Sequence, residues 1–340
     1  MHEAPEKKRR KYEEGIQKSA AKLSGINKLF LIALMPEAQE SYANLKLILE
    51  ELQLSKIPHT ISADLKVDLN IVGKQQASCR NNCPFGTGAH PKYEECKLLT
   101  VGDLKDYLKK FRDSGGDIKE AMHYQNVINE MLLLNVDDDT LIIDCINIPE
   151  LHILLGVVAR VMKFLEDICS KKRIDAFLKS INLSRDKGRS SLNGNDSVKF
   201  LENLQKFEGD TADFKGDKRK FILAAIDCLE TFKQVKHACF GIKLEDNYVE
   251  KIQVFKSKYR ILKINPTLKV HLLDHVEDFL DRKVKLGYPK TGLGFYSEQA
   301  FESAHKKWKD FWDRNKVNRD HDNYNERLQK TVLNFNNDHM

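Results

Sequence analysis

The sequence predicts an α+β protein that is mainly helical. Two short apolar runs, residues 29–34 and 59–63, have the length and composition of buried strands, and helical patterns at 41–54 and 65–72 follow them. After a Gly-, Pro- and Asn-rich stretch from Cys79 to Cys96, apolar residues recur at helical spacing through most of the remaining chain. This order indicates a small, partial α/β sheet followed by a large all-helical insertion.

The helical part of the chain divides into segments at turn residues such as Gly115-Gly116 and Gly209-Asp210. Ser297 has the position of an N-cap for the last strong helical pattern, with Glu298 in its first turn. Gly73 follows the short 65–72 helix, where a C-capping glycine is common. The spacing predicts helices over 104–112, 118–134, 150–169, 174–181, 198–207, 218–239, 247–262, 270–283 and 297–314.

The composition is that of a globular protein. Of the 340 residues, 41% are hydrophobic and 31% are charged, so the chain can form a substantial core. No apolar run approaches the roughly 20 residues that span a bilayer, and no signal peptide is evident, so we expect no membrane association. The seven cysteines are too few and odd in number for a disulfide scaffold. They are expected to be reduced, and buried or metal-bound.

Basic residues are concentrated in two places. Residues 251–270 contain six basic and no acidic side chains, and residues 282–319 contain ten basic and four acidic ones. Such segments suit double-stranded DNA or another polyanion, although a solvated lysine-rich helical surface explains them equally well. Lys7-Lys8-Arg9-Arg10-Lys11 fits a nuclear localisation signal, and a charged disordered terminus is the alternative interpretation.

Two carboxylates have positions that favour catalysis. Asp64 follows the second predicted strand, where α/β proteins place functional groups, but a cap for the next helix is the simpler interpretation. Glu302 shares a helical face with Glu298 and His305, an arrangement that suits a divalent cation. An ordinary ion pair between Glu302 and Lys306 is the simpler alternative.

Cysteine and histidine pairs predict a zinc site. Cys79 and Cys83 have three residues between them, and His271 and His275 are one helical turn apart. A site formed by these four residues would join the two ends of the helical insertion. Cys79, Cys83, His90 and Cys96 could instead form a local zinc loop, and buried thiols with surface histidines are the third possibility. Motifs of nucleotide-binding, hydrolase, HExxH and EF-hand sites are absent from the sequence.

Taken in order, several segments resemble the catalytic core of DDE transposases. The similarity extends over residues 23–339 and is greatest to the branch that contains the Transib transposases and the V(D)J recombination-activating recombinase. The segments that carry it are ISADLK at 61–66, PELHILLG at 149–156, Asn193-Gly-Asn195, KVHLLDHV at 269–276 and GFYSEQAFES at 294–303.

The resemblance implies a ribonuclease H-like core in which metal ions bound by three carboxylates act on DNA. Asp64 and Glu302 correspond to two of these carboxylates, with Mg²⁺ or Mn²⁺ as the ancestral catalytic ions. Cys79, Cys83, His271 and His275 correspond to ligands of a structural zinc. The resemblance also implies that the protein binds double-stranded DNA, is located in the nucleus and forms a homodimer.

The same comparison predicts the domain organisation and the loss of activity. We expect a charged, disordered tail at 1–24, the partial ribonuclease H-like core at 25–79, the zinc-stapled insertion at 80–296, and helices completing the core at 297–340. The first catalytic aspartate of the family has no counterpart in the sequence, so a catalytically silent, transposon-derived DNA-binding core is expected. A non-enzymatic zinc-stapled module for DNA or protein, and a relic without function, are the alternatives.

Overall fold

The computed structural model describes most of the chain. The described residues are 41–51, 61–75, 80–89, 93, 96–132, 136–185, 192–297, 308, 310–314 and 321–338. The predictions for the 29–34 strand, the basic cluster near the N-terminus, Cys79, His90 and Glu302 lie outside them.

The described part of the chain is mainly helical, as the periodicity predicts. The α-helices are α1 (Tyr42–Glu51), α2 (Leu65–Ile71), α3 (Val101–Asp113), α4 (Ile142–Cys145), α5 (Glu150–Cys169), α6 (Lys171–Ser180), α7 (Gly194–Glu202), α8 (Leu204–Asp210), α9 (Gly216–Cys239), α10 (Tyr248–Ile261), α11 (Leu268–His271), α12 (Val276–Lys285) and α13 (Tyr324–Asp338). Short 3₁₀ helices are present at Ile118–Tyr124, Leu272–His275 and Leu293–Phe295. Among these residues, no helix has both the length and the apolar character needed to cross a membrane.

The chain divides into two compact units. One comprises Gln53–Tyr296, and the other combines the two ends of the chain, Met1–Leu52 and Ser297–Met340. Within the second unit, Trp308 stacks on Trp312 and meets Phe335 of α13 edge to face, with ring centroids 5.3 Å apart. An aromatic cluster therefore holds α13 against the helical residues 310–314.

The core of the Gln53–Tyr296 unit is built around α5, α9 and α10. Apolar residues at three- and four-residue spacing give α5 a continuous buried stripe that includes Val157, Val161 and Leu165. Phe232 of α9 packs against Phe255 of α10 with ring centroids 5.2 Å apart, and both rings are fully buried. These long helices provide a rigid frame for the segments that carry the polar sites.

Within the described residues, the β structure takes the form of isolated bridges. The parallel bridge between Ile61 and Ile146 matters most for the sites. The Ile61 amide donates to the Cys145 carbonyl (2.9 Å), and the Asn147 amide donates to the Ile61 carbonyl (2.8 Å). This pairing places Asp64, three residues later, near the beginning of α5.

The predicted helix at 118–134 is wrong. A 3₁₀ helix ends at Tyr124, and Gln125 and Asn126 then adopt left-handed conformations with φ of 53° and 58°. The following residues are extended, because Val127 pairs with Lys74 and the Leu132 amide donates to the Ile71 carbonyl. Tertiary pairing with the end of α2 overrides the helical pattern of the segment.

Two further predicted helices are interrupted. The 198–207 segment is divided at Asn203 into α7 and α8. The 270–283 segment contains a tighter 3₁₀ turn, Leu272–His275, between α11 and α12. His271 and His275 lie at the two ends of this irregular turn, so its geometry determines how the two imidazoles are placed.

Candidate metal centre

Two thiols and two imidazoles converge inside the Gln53–Tyr296 unit. One donor atom from each of Cys83, Cys96, His271 and His275 lies within 4.8 Å of all the others. Cys83 and both histidines are buried, and Cys96 is partly exposed. The four residues come from opposite ends of the helical region, so a shared ion would connect segments about 190 residues apart.

The spacing of the donor atoms suits a tetrahedral zinc ion. Zn–S bonds of about 2.3 Å and Zn–N bonds of about 2.0–2.1 Å imply donor-to-donor distances of about 3.3–3.8 Å in a tetrahedron. The two thiols lie 3.9 Å apart, and the Nε2 atoms of His271 and His275 lie 3.1 Å apart. The distances from His275 Nε2 to the Cys83 and Cys96 sulfurs are 3.2 and 3.7 Å. Two thiolates and two imidazoles are also a donor set that zinc prefers.

A short hairpin brings the two cysteines together. Gly86 pairs with Leu98, the Thr87 amide donates to the Lys97 carbonyl, and the Leu99 amide donates to the Phe85 carbonyl, both at 2.9 Å. The chain therefore returns on itself between Cys83 and Cys96. This return explains how cysteines separated by twelve residues reach one point.

The hairpin leaves no room for a side chain at Gly88. An added Cβ there would lie 2.8 Å from His271 Nε2 and 3.1 Å from the Cys96 sulfur. The Gly88 amide also donates to this sulfur at 3.1 Å. A glycine is therefore needed where the backbone approaches the donor atoms most closely.

Aromatic rings from the same hairpin fix both imidazoles. Tyr93 stacks on His271 with ring centroids 4.1 Å apart, and its hydroxyl donates to Asn82 Oδ1. Phe85 meets the ring of His275 edge to face at 5.6 Å. These contacts orient the Nε2 atoms towards the thiols.

Asp274 supports the centre from outside. Its carboxylate accepts from His271 Nδ1 at 2.9 Å and forms an ion pair with Lys256 at 2.5 Å. Burial alone would lower the pKa of His271, but the hydrogen bonds with Asp274 and Cys96 outweigh it and raise the pKa. A carboxylate bound to Nδ1 leaves Nε2 as the donor atom, which is the arrangement usual for histidine ligands.

The two thiols have opposite pKa shifts. The hydrogen bond shared with Cys83 and contacts with both imidazoles lower the pKa of Cys96 to about 3. Burial raises the pKa of Cys83 well above its usual value, although the hydrogen bond with the Phe85 backbone acts in the opposite direction. Cys96 is thus the thiol that ionises first, and a bound cation would favour the thiolate form of both.

The centre combines residues from the two ligand sets that the sequence suggests. Cys83, His271 and His275 belong to the long-range set, whereas Cys96 comes from the local alternative. Cys79 and His90, the remaining members of these sets, lie outside the described residues. The structure therefore supports a staple between the hairpin and the α11–α12 region, with Cys96 as its second thiol.

Replacing Asp274 by Asn is expected to weaken metal binding about 10–100-fold, because the His271 ring loses its anionic hydrogen-bond partner. Competition with a coloured zinc chelator measures this affinity. Asp227→Asn is the matched control, since Asp227 pairs with Lys258 at 2.7 Å and is not one of the clustered residues. Equal affinities in the two variants would contradict the role of Asp274.

Asp64 is the N-cap of α2, as the simpler interpretation of the sequence suggests. Its Oδ1 accepts from the Lys66 amide at 2.6 Å, and its Oδ2 lies 3.5 Å from Nε2 of His152 on α5. The hydrogen bond with His152 is the main cause that lowers the pKa of Asp64 to about 2. Both carboxylate oxygens therefore face protein donors.

The charge of Asp64 is expected to stabilise the protein fully above about pH 4 and progressively less as the pH falls from there towards 2. Its pKa is about 2 in the folded protein and about 3.9 in an unfolded chain. Because the folded value is the lower one, the stabilisation is complete above the unfolded pKa and is lost as the pH falls towards 2. Urea denaturation of wild type and Asp64→Asn tests this, since Asn preserves the capping bond. A stability difference that is independent of pH between 2 and 6 would refute it.

The second predicted carboxylate, Glu302, lies outside the described residues, but the chain six residues before it is described. The Ser62 hydroxyl donates to the Tyr296 carbonyl at 3.0 Å, and Asn147 Nδ2 donates to the same hydroxyl at 2.7 Å. The backbone of Tyr296 is thus bound to Ser62, which precedes Asp64 by two residues. The role predicted for Glu302 stays a prediction.

The basic segment 251–270 is partly neutralised by carboxylates from other parts of the fold. Lys251 pairs with Glu245 at 2.5 Å, and Lys258 pairs with Asp227 of α9. Lys256 pairs with Asp274, as described above. Of the segment's other basic side chains, Lys269 is half-buried, and Arg260 and Lys263 are exposed. The cationic surface is therefore smaller than the sequence suggests.

No protein-family model matches the chain, and no curated protein is significantly similar to it.

Proposed function

We propose that this chain is a zinc-stapled core of the DDE transposase type that binds double-stranded DNA without cutting it. The observation that carries the proposal is the cluster of Cys83, Cys96, His271 and His275. It joins the segment that follows Asp64 to a histidine pair near the end of the helical region, and three of its members, Cys83, His271 and His275, are among the zinc ligands that the sequence resemblance implies. The ribonuclease H-like core, the homodimer and the nuclear location belong to this proposal.

The ion supplies structure in this proposal, and the protein supplies all four of its ligands. Structural zinc sites are closed by four protein ligands, whereas catalytic ones keep a position for water. Burial of three of the four ligand residues favours the structural role.

Absence of DNA cleavage is supported by the contacts of Asp64. A carboxylate that binds catalytic Mg²⁺ or Mn²⁺ needs oxygens directed at the ion. The oxygens of Asp64 instead face the Lys66 amide and His152. We therefore expect no Mg²⁺- or Mn²⁺-dependent nicking of supercoiled DNA above the background of a Glu302→Gln variant. Nicking that disappears in Glu302→Gln would overturn this part of the proposal.

Binding to duplex DNA is expected to weaken steeply as salt rises. If about four phosphates are contacted, the logarithm of the affinity should fall with the logarithm of salt concentration with a slope of about −3.6. Fluorescence anisotropy with a labelled duplex measures the slope. The variant Arg260→Ala/Lys263→Ala removes two exposed cations of α10 and its C-terminal turn and should reduce the slope by about two.

Lys220→Ala is the control for this measurement, because Lys220 is exposed but already paired with Asp217. It should leave the slope almost unchanged. A slope near zero for the wild-type protein would contradict DNA binding.

A second candidate is a zinc-stapled helical module that binds a protein instead of DNA. The pairing of Lys251, Lys256 and Lys258 with carboxylates favours it, because paired lysines contribute little to a polyanion site. The salt titration separates the two candidates, since only DNA binding predicts the steep slope.

A further inference from the structure

Lys74 is a buried lysine directly behind the candidate metal centre. Only 2% of the residue is exposed, although lysine is seldom buried in proteins. Its backbone pairs with Val127, and its amide donates to the Leu69 carbonyl at the end of α2. The main chain therefore fixes where this side chain enters the core.

The Lys74 ammonium group is bound to the turn that carries Cys83. Nζ donates to the Cys83 carbonyl at 2.6 Å and to the Gly86 carbonyl at 3.1 Å. These two carbonyls flank residues 84 and 85, which form the turn that leads from Cys83 into the hairpin. One cation thus fixes both ends of the turn, and charge-assisted hydrogen bonds of this kind are stronger than neutral ones.

The charges that act on Lys74 come from the same site. Burial lowers the pKa of Lys74 to about 8, and the nearby Cys83 and Cys96 sulfurs act in the opposite direction. A buried ammonium group is costly unless it is hydrogen-bonded and near negative charge. The turn carbonyls meet the first condition, and the thiolates of the proposed metal site would meet the second.

We propose that Lys74 is a positioning residue of the metal centre. Its ammonium group holds the Cys83–Gly86 turn so that the Cys83 sulfur is directed at His275, 3.2 Å away. Lys74 touches no ion itself and acts through Cys83. The inference rests on the proposed metal site and adds a residue that links this site to α2, the helix capped by Asp64.

Replacing Lys74 by Met tests the role, because Met fills a similar volume without charge or hydrogen-bond donors. We expect Lys74→Met to bind one Co²⁺ or Zn²⁺ ion with an affinity about 10–100-fold lower than wild type, as for other residues that orient metal ligands. The sulfur-to-cobalt charge-transfer absorption of the Co²⁺ protein should also shift or weaken, since it reports the geometry of the Cys83 sulfur.

Lys283→Met is the matched control. Lys283 is likewise buried, 1% exposed, and donates to a backbone carbonyl, that of Asp144, at 3.0 Å. Its surroundings are the rings of Phe279, Tyr288 and Tyr296, and it does not belong to the metal cluster. The Lys283→Met protein should keep the wild-type cobalt spectrum and an affinity within about twofold of wild type.

The outcomes separate this inference from the proposed metal site. A wild-type protein that binds neither ion refutes the site itself. A Lys74→Met protein with wild-type affinity and cobalt spectrum refutes only the role of Lys74. If Lys74→Met does not fold, as judged by circular dichroism, Lys74→Gln takes its place, because its side chain is polar but uncharged and too short to place a donor where Nζ lies. Wild-type affinity and spectrum in Lys74→Gln would equally overturn the inference.

Discussion

Removing a metal ion bound by Cys83, Cys96, His271 and His275 is expected to lower the melting temperature of the protein by about 10–20 °C. The ion would connect Cys83 to His275, which are 192 residues apart in the chain. For a closed loop of roughly 190 residues, the loop-closure relation gives a stabilisation of about 5 kcal/mol. In a domain of this size, each kcal/mol changes the melting temperature by about 2–4 °C.

Thermal unfolding followed by circular dichroism, with and without a strong chelator, measures this change. Adding zinc in excess of the chelator should restore the original melting temperature, because an ion that binds only the folded state stabilises it. His275→Ala is the control, and its melting temperature should not respond to chelator. A wild-type protein that is equally insensitive would contradict the metal staple.

The substitution Gly73→Ala is expected to destabilise the protein by about 2–5 kcal/mol. Gly73 has a φ of +73°, and an added Cβ would lie 2.2 Å from the Asn129 carbonyl oxygen. A positive φ costs a residue with a side chain about 1–2 kcal/mol, and overpacking typically adds about 1–3 kcal/mol. The Gly73 carbonyl also accepts from the Ile128 and Asn129 amides, so the two backbone segments cannot separate without losing these bonds.

Gly116→Ala separates the two contributions to this cost. Gly116 has a similar φ of +68°, but the nearest atom to an added Cβ is Phe111 Cε1 at 3.9 Å. Its substitution should therefore cost only the conformational part, about 1–2 kcal/mol. Urea denaturation gives both values. Equal costs at the two glycines would show that the segment at 127–132 does not pack against Gly73 as described.

Helices with a strong apolar stripe could be predicted from the sequence. The conformation of the 118–134 segment could not, because it depends on contacts with a distant part of the chain. The bounds of α5 agree with the predicted 150–169 segment, because its apolar residues alone specify which face is buried. The 118–134 segment has a similar pattern, but residues 127–132 pair with the end of α2. Such pairing depends on residues more than fifty positions away, which local periodicity does not report.

The metal centre was predictable only in part. His271 and His275 are recognisable because they are one turn apart, and Cys83 because of its Cys-, Gly- and Pro-rich surroundings. The sequence suggests Cys96 only as a ligand of a local zinc loop. Its approach to the two histidines depends on the hairpin between residues 85–88 and 97–99, which lacks the alternation of a usual strand pair. The role of Lys74 had no signal in the sequence, because a single lysine is normally exposed.

The basic segment shows the opposite error, a surface overestimated from the sequence. Residues 251–270 contain six basic residues and no acidic one. The fold nevertheless brings the carboxylates of Asp227, Glu245 and Asp274 to three of these basic side chains. Charge counted along a helix therefore sets an upper limit on the charge of its surface. The salt dependence of DNA binding measures how many of these cations contact phosphates.

The metal content of the purified protein tests the central claim most directly. Elemental mass spectrometry should find one zinc per chain in the wild-type protein. The Cys228→Ser variant should contain the same amount, because Cys228 is buried in the core and is not one of the clustered residues. Cys96→Ser and His275→Ala should each lose most of the zinc. Cys79→Ser should retain it if Cys96 is the second thiol. A wild-type protein without metal, or a Cys96→Ser protein with a full complement of zinc, would contradict the account.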